Sequence, residues 1–435
     1  MRTLQAPRGM RDLLAADAAA FDALFDVVRA RALRYGYPRI VTPIVEDREV
    51  FIRGAGATSD IVSYEMYEVG AEAGLVLRPE GTAAVTRAFL QAGLHVSPRP
   101  VRLFYWDPMF RGQRPQLLRY RQFWQWGLEC FGEEGPGADV EMVEFTASLF
   151  AELGLVDQRL EVNTIGDAKC RAKVKEGLTA YFSAHRDALT AESQKRLETN
   201  VLRILDSKDE RDRKVIAGAP PLADLLCDDD RAHFAAFTAG LDRLGIPYTV
   251  VPTLVRGLDY YTRTVFEFIL TDPAFTKGSP IAVAGGGRYD GLVETMGGPA
   301  MAGVGIAGGV DVLLGALAQR KAPLPREPRA EVWIVSAEQD DAVDREQLAA
   351  PLREAGFAVA VELSRRSLDK QLESAAKHGA KVVIIRGTPE ARGGNVVVRD
   401  LATGDQRVTR LAAVVTEVGR HAPRYPKPPF AGPES

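Results

Sequence analysis

The stretch FRGQRPQLLRYRQFWQWGLECFG, residues 110–132, joins two segments of opposite character. Its first half, residues 110–120, follows neither a two-residue nor a 3.6-residue period and contains Gly112 and Pro115, so it reads as a loop. Its second half alternates. Phe123, Gln125, Gly127 and Glu129 share one face of a strand, and Trp124 and Trp126 share the other. Residues 101–106 are also strand-like, and the loop is too short for a crossover helix, so the two strands must run antiparallel. A face of Gln, Gly and Glu is poor core but a good floor for a polar pocket. Arg111, Arg114, Arg119 and Arg121 crowd the loop, with no acidic residue before Glu129. Guanidinium groups at that density suit phosphate, which they grip in bidentate fashion; a solvated basic face is the alternative.

Working outward, residues 75–78 form another short β-rich run, and short connections between such runs favour an antiparallel sheet over a βαβ series. Upstream, Phe21, Leu24, Phe25, Val28 and Leu33 recur at three- and four-residue steps, which predicts an amphipathic helix over residues 18–35 ending before Gly36. Pro38 and Pro43 make residues 37–44 extended. Downstream, residues 168–244 are charged, alanine-rich and helical, interrupted near Pro220. Strand sequence then resumes in YTVVPTLV and TVFEFIL, so a helical insertion splits one sheet domain.

Residues 318–331 hold three prolines without periodicity and read as a linker. Beyond them VWIVSA, FAVAVEL, KVVIIRG and NVVVRD alternate with helices expected over residues 347–355 and 367–377, the pattern of a small α/β domain. The proline-rich tail, residues 421–435, is expected to be disordered. The fold class is therefore α+β. The expected division is 1–167 and 247–319 for the sheet domain, 168–246 for the insertion, 320–330 for the linker and 331–420 for the C-terminal domain.

With 46% hydrophobic and 26% charged residues and a formal net charge of -3 over 435 residues, the chain is an ordinary globular protein. Contact with nucleic acid must then come from local basic patches, not from a global field. No segment approaches the length of a membrane span and the N-terminus has no apolar signal region, so a cytoplasmic address is expected. Cys130, Cys170 and Cys227 are odd in number and far apart in sequence, which argues against a disulfide framework. The five histidines are equally scattered, and no zinc site is expected from the spacings.

Four further runs carry chemistry. In RPEGT, residues 78–82, Glu80 and Thr82 flank a turn glycine and are suited to an ammonium group; a helix start capped by Thr82 is the plain alternative. LVRGLDYYTRTVFEF, residues 254–268, sets Arg256, Asp259, Tyr260 and Tyr261 at a turn, and AGGGRYDGL, residues 284–292, has three glycines that allow close backbone approach to a ligand. GVGIAGGVDVLLGAL, residues 303–317, reads as a small-residue strand entering a helix, without the G-x-G-x-x-G of dinucleotide binding.

These runs, with TSDIVSYEMYEV, MFRGQRPQ and RYRQF, resemble the histidyl-tRNA synthetases, a family of class II aminoacyl-tRNA synthetases, over nearly the whole chain. The resemblance implies an antiparallel sheet flanked by helices, a helical insertion and a C-terminal anticodon-binding domain. It implies ATP-dependent activation of L-histidine to the adenylate, Mg²⁺ on the ATP phosphates, transfer of histidine to tRNA(His), and a homodimer built through the motif 1 region before Pro43. By resemblance, Glu80, Thr82 and Gln125 hold the α-amino group. Glu129 and Tyr261 hydrogen-bond the two imidazole nitrogens, with Tyr260 and Tyr289 nearby. Arg111 holds the α-phosphate and Arg256 is the second catalytic arginine. Gln113, Arg119, Tyr120 and Asp311 fall at the nucleotide, and Arg114, Arg121, Arg365 and Arg366 at tRNA. No protein side chain is implied as a metal ligand.

Two positions depart from the family pattern. Motif 2 has Gln113 where Glu is usual, and motif 3 has Val312 where the family places an arginine against the adenine and γ-phosphate. Lys277 and Arg288 are the nearby candidates to compensate. Because both changes lie at the nucleotide end, a histidine-binding regulatory paralogue with weak adenylation is the second reading.

Overall fold

The computed structural model describes residues 3–57, 59–70, 73–271, 281–322, 329–338 and 342–425, so Lys277 and most of the expected tail lie outside the described residues. The chain forms two compact units, Met1–Arg326 and Glu327–Ser435.

The first unit opens with helix α1, Ala15–Arg34, followed by the short strands β1, Val45–Asp47, β2, Tyr67–Glu68, and β3, Leu75–Leu77, which form a small antiparallel sheet. Helices α2, Arg48–Ala55, and α3, Thr82–Gln91, pack beside it. The main sheet has the order β4-β5-β10-β9-β8-β6-β7. Its strands are β4, Val101–Phe110; β5, Gln122–Phe131; β6, Gln158–Thr164; β7, Thr249–Val250; β8, Thr262–Leu270; β9, Ile281–Arg288; and β10, Gly303–Gly309. All neighbours are antiparallel except β6 and β7. The quoted stretch is thus the β4–β5 hairpin, with Phe110 opposite Gln122.

The alternation read in β5 divides the sheet. On one face Trp126, Leu128 and Cys130 join Trp106 of β4 beneath α1 and the helices α4, Gly137–Glu152, α8, Asp228–Arg243, and α10, Val310–Gln319. Phe21 of α1 meets Trp106 and Trp124 edge-on at ring-centroid distances of 5.2 and 4.9 Å. Burying each such side chain stabilises the fold by roughly 1.5–3 kcal/mol. Helix α1 begins earlier than the periodicity predicts, because alanines extend it to Ala15, and it stops at Gly36, whose φ of 76° suits glycine.

Strands β6 and β8 pair directly across the intervening helical segment, which contains α5, Ala168–Ala184, α6, Ala191–Thr199, α7, Glu210–Ile216, and α8. The region from residue 168 to 246 therefore interrupts one sheet. It does not separate two. Helix α9, Leu292–Thr295, follows β9. One expectation is overturned here: Cys170 and Cys227, 57 residues apart in sequence, are joined as a disulfide. Sequence distance hid the pairing, because the insertion folds α8 back against the start of α5. Cys130 remains a buried free thiol.

In the second unit the strands β11, Val332–Ser336, β12, Val359–Val361, and β13, Val382–Arg386, are parallel, with β14, Asn395–Asp400, and β15, Gln406–Arg410, added antiparallel, in the order β12-β11-β13-β14-β15. Helices α11, Ala342–Glu354, α12, Leu368–Lys377, and α13, Val414–Val418, complete it. Sequence periodicity missed β15, whose residues QRVTR are mostly exposed at the sheet edge and carry no apolar alternation.

Candidate active site

The polar face of the main sheet floors a cavity of about 350 Å³. Gln125 of β5 and Gly305 and Ala307 of β10 contribute to the floor; Glu80, Thr82, Tyr105, Tyr260, Tyr261 and Tyr289 make up one part of the wall, the tyrosine end, and Arg111, Gln113, Arg119 and Arg256 another, the arginine end, the two meeting where Arg256 lies 6.0 Å from the Tyr261 ring centroid. Sequence reading scattered these residues over five runs and the strand-like segment 101–106, and the sheet brings them to one place.

The tyrosine end is buried and internally paired. Glu80 receives the backbone N–H groups of Thr82 and Ala83, each at 2.8 Å, and so caps α3. The capping role offered to Thr82 thus belongs to Glu80, and Thr82 is already the first helical residue. Its hydroxyl instead donates to Glu129 at 2.7 Å, while Tyr289 donates to the other Glu129 oxygen. Glu129 is fully buried, and burial pushes its carboxyl up to about 8 against the lowering effect of these two donors. Burial likewise raises the Glu80 carboxyl and lifts the Tyr260 and Tyr289 hydroxyls well above their ordinary range. Among the described residues, Gln125 Oε1 and Tyr105 Oη are buried without a hydrogen-bond partner. An unpaired buried acceptor costs roughly 1–3 kcal/mol, so both atoms favour a polar ligand in this cavity.

Close approach around the cavity depends on missing side chains. A Cβ on Gly305 would overlap the Glu129 carboxylate, and one on Gly285 would lie 2.6 Å from the Arg256 guanidinium. The glycine triplet therefore lets the protein's own groups approach the sheet, in addition to any ligand. Gly286, for example, packs against Phe266.

The arginine end is more open. Arg111 donates from Nε to the Pro79 carbonyl at 2.8 Å and lies over the Phe123 ring at 5.1 Å; burial lowers its pKa. Burial raises the Glu65 carboxyl, and Arg111 opposes that shift. Arg256 is ion-paired with Glu267, which outweighs burial and keeps its pKa above the ordinary value. Its Nε is buried without a partner. Asp60, Glu65, Arg203 and Asp206 also line the cavity. Sequence reading missed the roles of these four. Arg203 and Asp206 come from the insertion, whose composition gave no reason to place them beside the sheet.

With this geometry in hand, comparison with known proteins identifies the chain's relatives. The histidyl-tRNA synthetase family matches residues 9–313, and the anticodon binding domain family matches residues 331–421. The chain belongs to the histidyl-tRNA synthetase family. It is 44% identical to the histidine–tRNA ligase of Desulforudis audaxviator over 418 residues, covering 96% of this chain and 98% of that protein. It is 45% identical to that of Rhodospirillum rubrum over 417 residues, covering 95% and 98%. The apo histidyl-tRNA synthetase of Staphylococcus aureus superposes with a TM-score of 0.80 at 31% identity, covering 95% of this chain and 99% of that one.

Not every residue that the synthetase resemblance marked reaches the cavity. Asp311, expected at the nucleotide, accepts from Arg11 at 2.7 Å and from the Trp124 N–H at 3.0 Å, and it does not line the cavity. Tyr120 also lies outside the lining, with Arg11 over its ring at 4.8 Å. Arg121 donates to the Gln113 carbonyl at 3.1 Å, bracing the loop, whereas Arg114 is exposed. Glu129 lies beneath the lining, screened by Thr82 and Tyr289. Val312 is only 8% exposed and packs in the core. Arg288 cannot compensate for it, because its guanidinium is buried among Asp139, Asp290 and the Glu133 and Gly135 carbonyls. In the second unit Arg365 is exposed, and Arg366 is tied to Glu362 at 3.1 Å and Ser364 at 2.8 Å.

Proposed function

We propose that this one cavity binds L-histidine at its tyrosine-lined end and ATP at its arginine end, and that the protein charges tRNA(His) with histidine. One observation carries this reading. Carboxylates and an unpaired amide acceptor suited to an ammonium group share a cavity with arginines suited to phosphate. Glu80, Thr82 and Gln125 receive the α-amino group; Tyr261, Tyr260 and Tyr289 read the imidazole, and Glu129 acts on it from beneath the lining by fixing the Thr82 and Tyr289 hydroxyls. The ring has two distinct nitrogens, so fixed donors and acceptors reject an apolar analogue that would leave them unpaired.

In the first step a histidine carboxylate oxygen attacks the α-phosphorus of ATP, the bond to the bridging oxygen breaks, and pyrophosphate leaves. In the second a terminal ribose hydroxyl of tRNA attacks the adenylate carbonyl and AMP leaves. Two anions must meet in the first step, so positioning and charge neutralisation dominate. Arg111 and Arg256 supply the protein's share, with Gln113 and Arg119 beside them. Hard oxygen donors line the same cavity at Asp60, Glu65 and Asp206, which is compatible with Mg²⁺ carried in by ATP. When bound, Mg²⁺ neutralises phosphate charge.

Arg114 and Arg121 of the loop and Arg365 and Arg366 of residues 331–420 are assigned to tRNA. The catalytic domain comprises residues 1–167 and 247–319, with 168–246 as its insertion. A homodimer through the motif 1 region is supported by a run of exposed apolar residues there: Leu33 at 61%, Val41 at 64% and Ile44 at 44%. Among the described residues no helix is long and apolar enough to cross a membrane, and the assigned address is the cytoplasm. The test is histidine-dependent ATP/pyrophosphate exchange followed by aminoacylation of tRNA(His). Histidine binding without exchange would overturn this reading in favour of a regulatory paralogue.

A further inference from the structure

The disulfide that the sequence concealed sits in a wider cluster. Asp167, Cys170, Cys227 and Asp230 place one ligand atom each within 4.8 Å of one another. Their spacing is D-x-x-C followed by C-x-x-D, two half-sites at the starts of α5 and α8. Asp167 caps α5 by accepting the Cys170 N–H at 2.8 Å, and Cys227 caps α8 and donates its N–H to Cys170 Sγ at 2.9 Å. Asp230 Oδ2 faces Cys227 Sγ at 3.5 Å, and both Cys170 and Asp230 are buried.

We propose that, with its thiols reduced, this cluster is a structural zinc site. The argument is charge and donor chemistry. Two thiolates and two carboxylates concentrate four negative charges. Among the described residues Arg263 is ion-paired with them, with Nε at 2.9 Å from Asp230 and Nη2 at 3.8 Å from Asp167, and Arg171 adds its charge near Asp167. Two guanidinium groups leave half of that charge uncompensated, whereas a divalent ion at the centre with both outside it completes the balance. Zinc bonds of about 2.3 Å to sulfur and about 2.0 Å to oxygen are within reach of ligand atoms this close together. The helix N-termini favour the thiolate form. Loading requires a thiol reductant, which gives two electrons and two protons to the disulfide and is itself oxidised to a disulfide; zinc then displaces the two thiol protons.

The site would brace the loop that carries Tyr260 and Tyr261. Arg263, at φ 48° in a bulge of β8, exchanges backbone hydrogen bonds with Ile165 and Gly166 immediately before Asp167. Arg171, one residue after Cys170, donates to the carbonyls of Asp259 and Tyr261.

The full chain, purified with a thiol reductant and given equimolar ZnCl₂, is expected to retain about one zinc per chain by elemental analysis, the stoichiometry of a closed four-ligand site. Cobalt(II) in its place is expected to show thiolate-to-metal charge-transfer absorption. Cys170→Ser loses both signals and Cys130→Ser keeps them. Should Cys170→Ser fail to fold, Asp167→Asn keeps the helix cap and is expected to weaken zinc affinity by about tenfold or more. Reduced protein with both thiols alkylatable and no retained zinc overturns the proposal, as does an intact disulfide under the reducing conditions.

Discussion

The two ends of the cavity are built on different principles. At the tyrosine end, Glu80, Thr82, Glu129 and Tyr289 bind one another before any ligand arrives, and the geometry is preorganised at the cost of burying two carboxyl groups. At the arginine end, Arg111 is held by a carbonyl and Arg256 by one carboxylate, and Arg256 retains donor capacity at Nε. On the proposed assignment, a small neutral ring needs fixed partners, whereas a polyphosphate needs unspent positive charge.

The sharpest way to break this comparison is to remove a cation. Arg256→Gln is expected to lower the rate of ATP/pyrophosphate exchange by about 10²–10³, the usual loss for one transition-state donor. Histidine affinity, read by calorimetry, should fall far less than the exchange rate, with a residual loss of a few-fold because Arg256 lies 6.0 Å from the Tyr261 ring. An equal loss of histidine affinity would merge them.

The reciprocal change is Glu129→Gln, which puts an amide nitrogen where one of the two oxygens accepts from Thr82 or Tyr289 and should raise the KM for histidine by about 10- to 100-fold while sparing the KM for ATP. This variant also tests the buried carboxyl by pH. The folded group titrates near 8 against an ordinary value of 4.5, so folded protein keeps a proton that the unfolded chain releases in between. Its stabilising contribution is full below about 4.5 and is lost as pH rises through about 8. The melting-temperature advantage of the parent over Glu129→Gln should therefore shrink across that window and level off above it. A constant difference would place Glu129 in contact with solvent.

A smaller effect is expected from Val312→Arg. If position 312 adjoins the nucleotide, the KM for ATP shifts on the order of several-fold and that for histidine does not move. A lower melting temperature with neither KM changed would make position 312 core alone. Smallest is Arg366→Ala in the second unit, already paired with Glu362. Stability should change by less than about 0.5 kcal/mol, and the KM for tRNA should rise about two- to fivefold at low salt and less at high salt.

Much of the site was legible because its signals are local. The alternation from Phe123 to Cys130 assigns each side chain of β5 to a face, and the short loop forces the antiparallel hairpin. The helix after Gly36 was excluded by prolines alone. Where reading failed, the cause was distance along the chain. Asp311 looked available for ATP until Arg11, 300 residues away, was found to hold it. Arg203 and Asp206 have no periodic signature that would bring an insertion helix to the cavity wall. The edge strand β15 escaped because exposed residues need no apolar pattern.

The sequence by itself determined the order of elements, the polar and apolar faces of the sheet and the family, since these follow from side-chain period and from motifs a few residues long. Only the tertiary structure decided which polar groups neutralise one another in a shared low-dielectric volume. That determines the raised carboxyl of Glu129, the saturation of Arg288, and the meeting of Cys170 with Cys227 between two carboxylates. Electrostatic environment depends on separation in space, and chain order does not encode that locally.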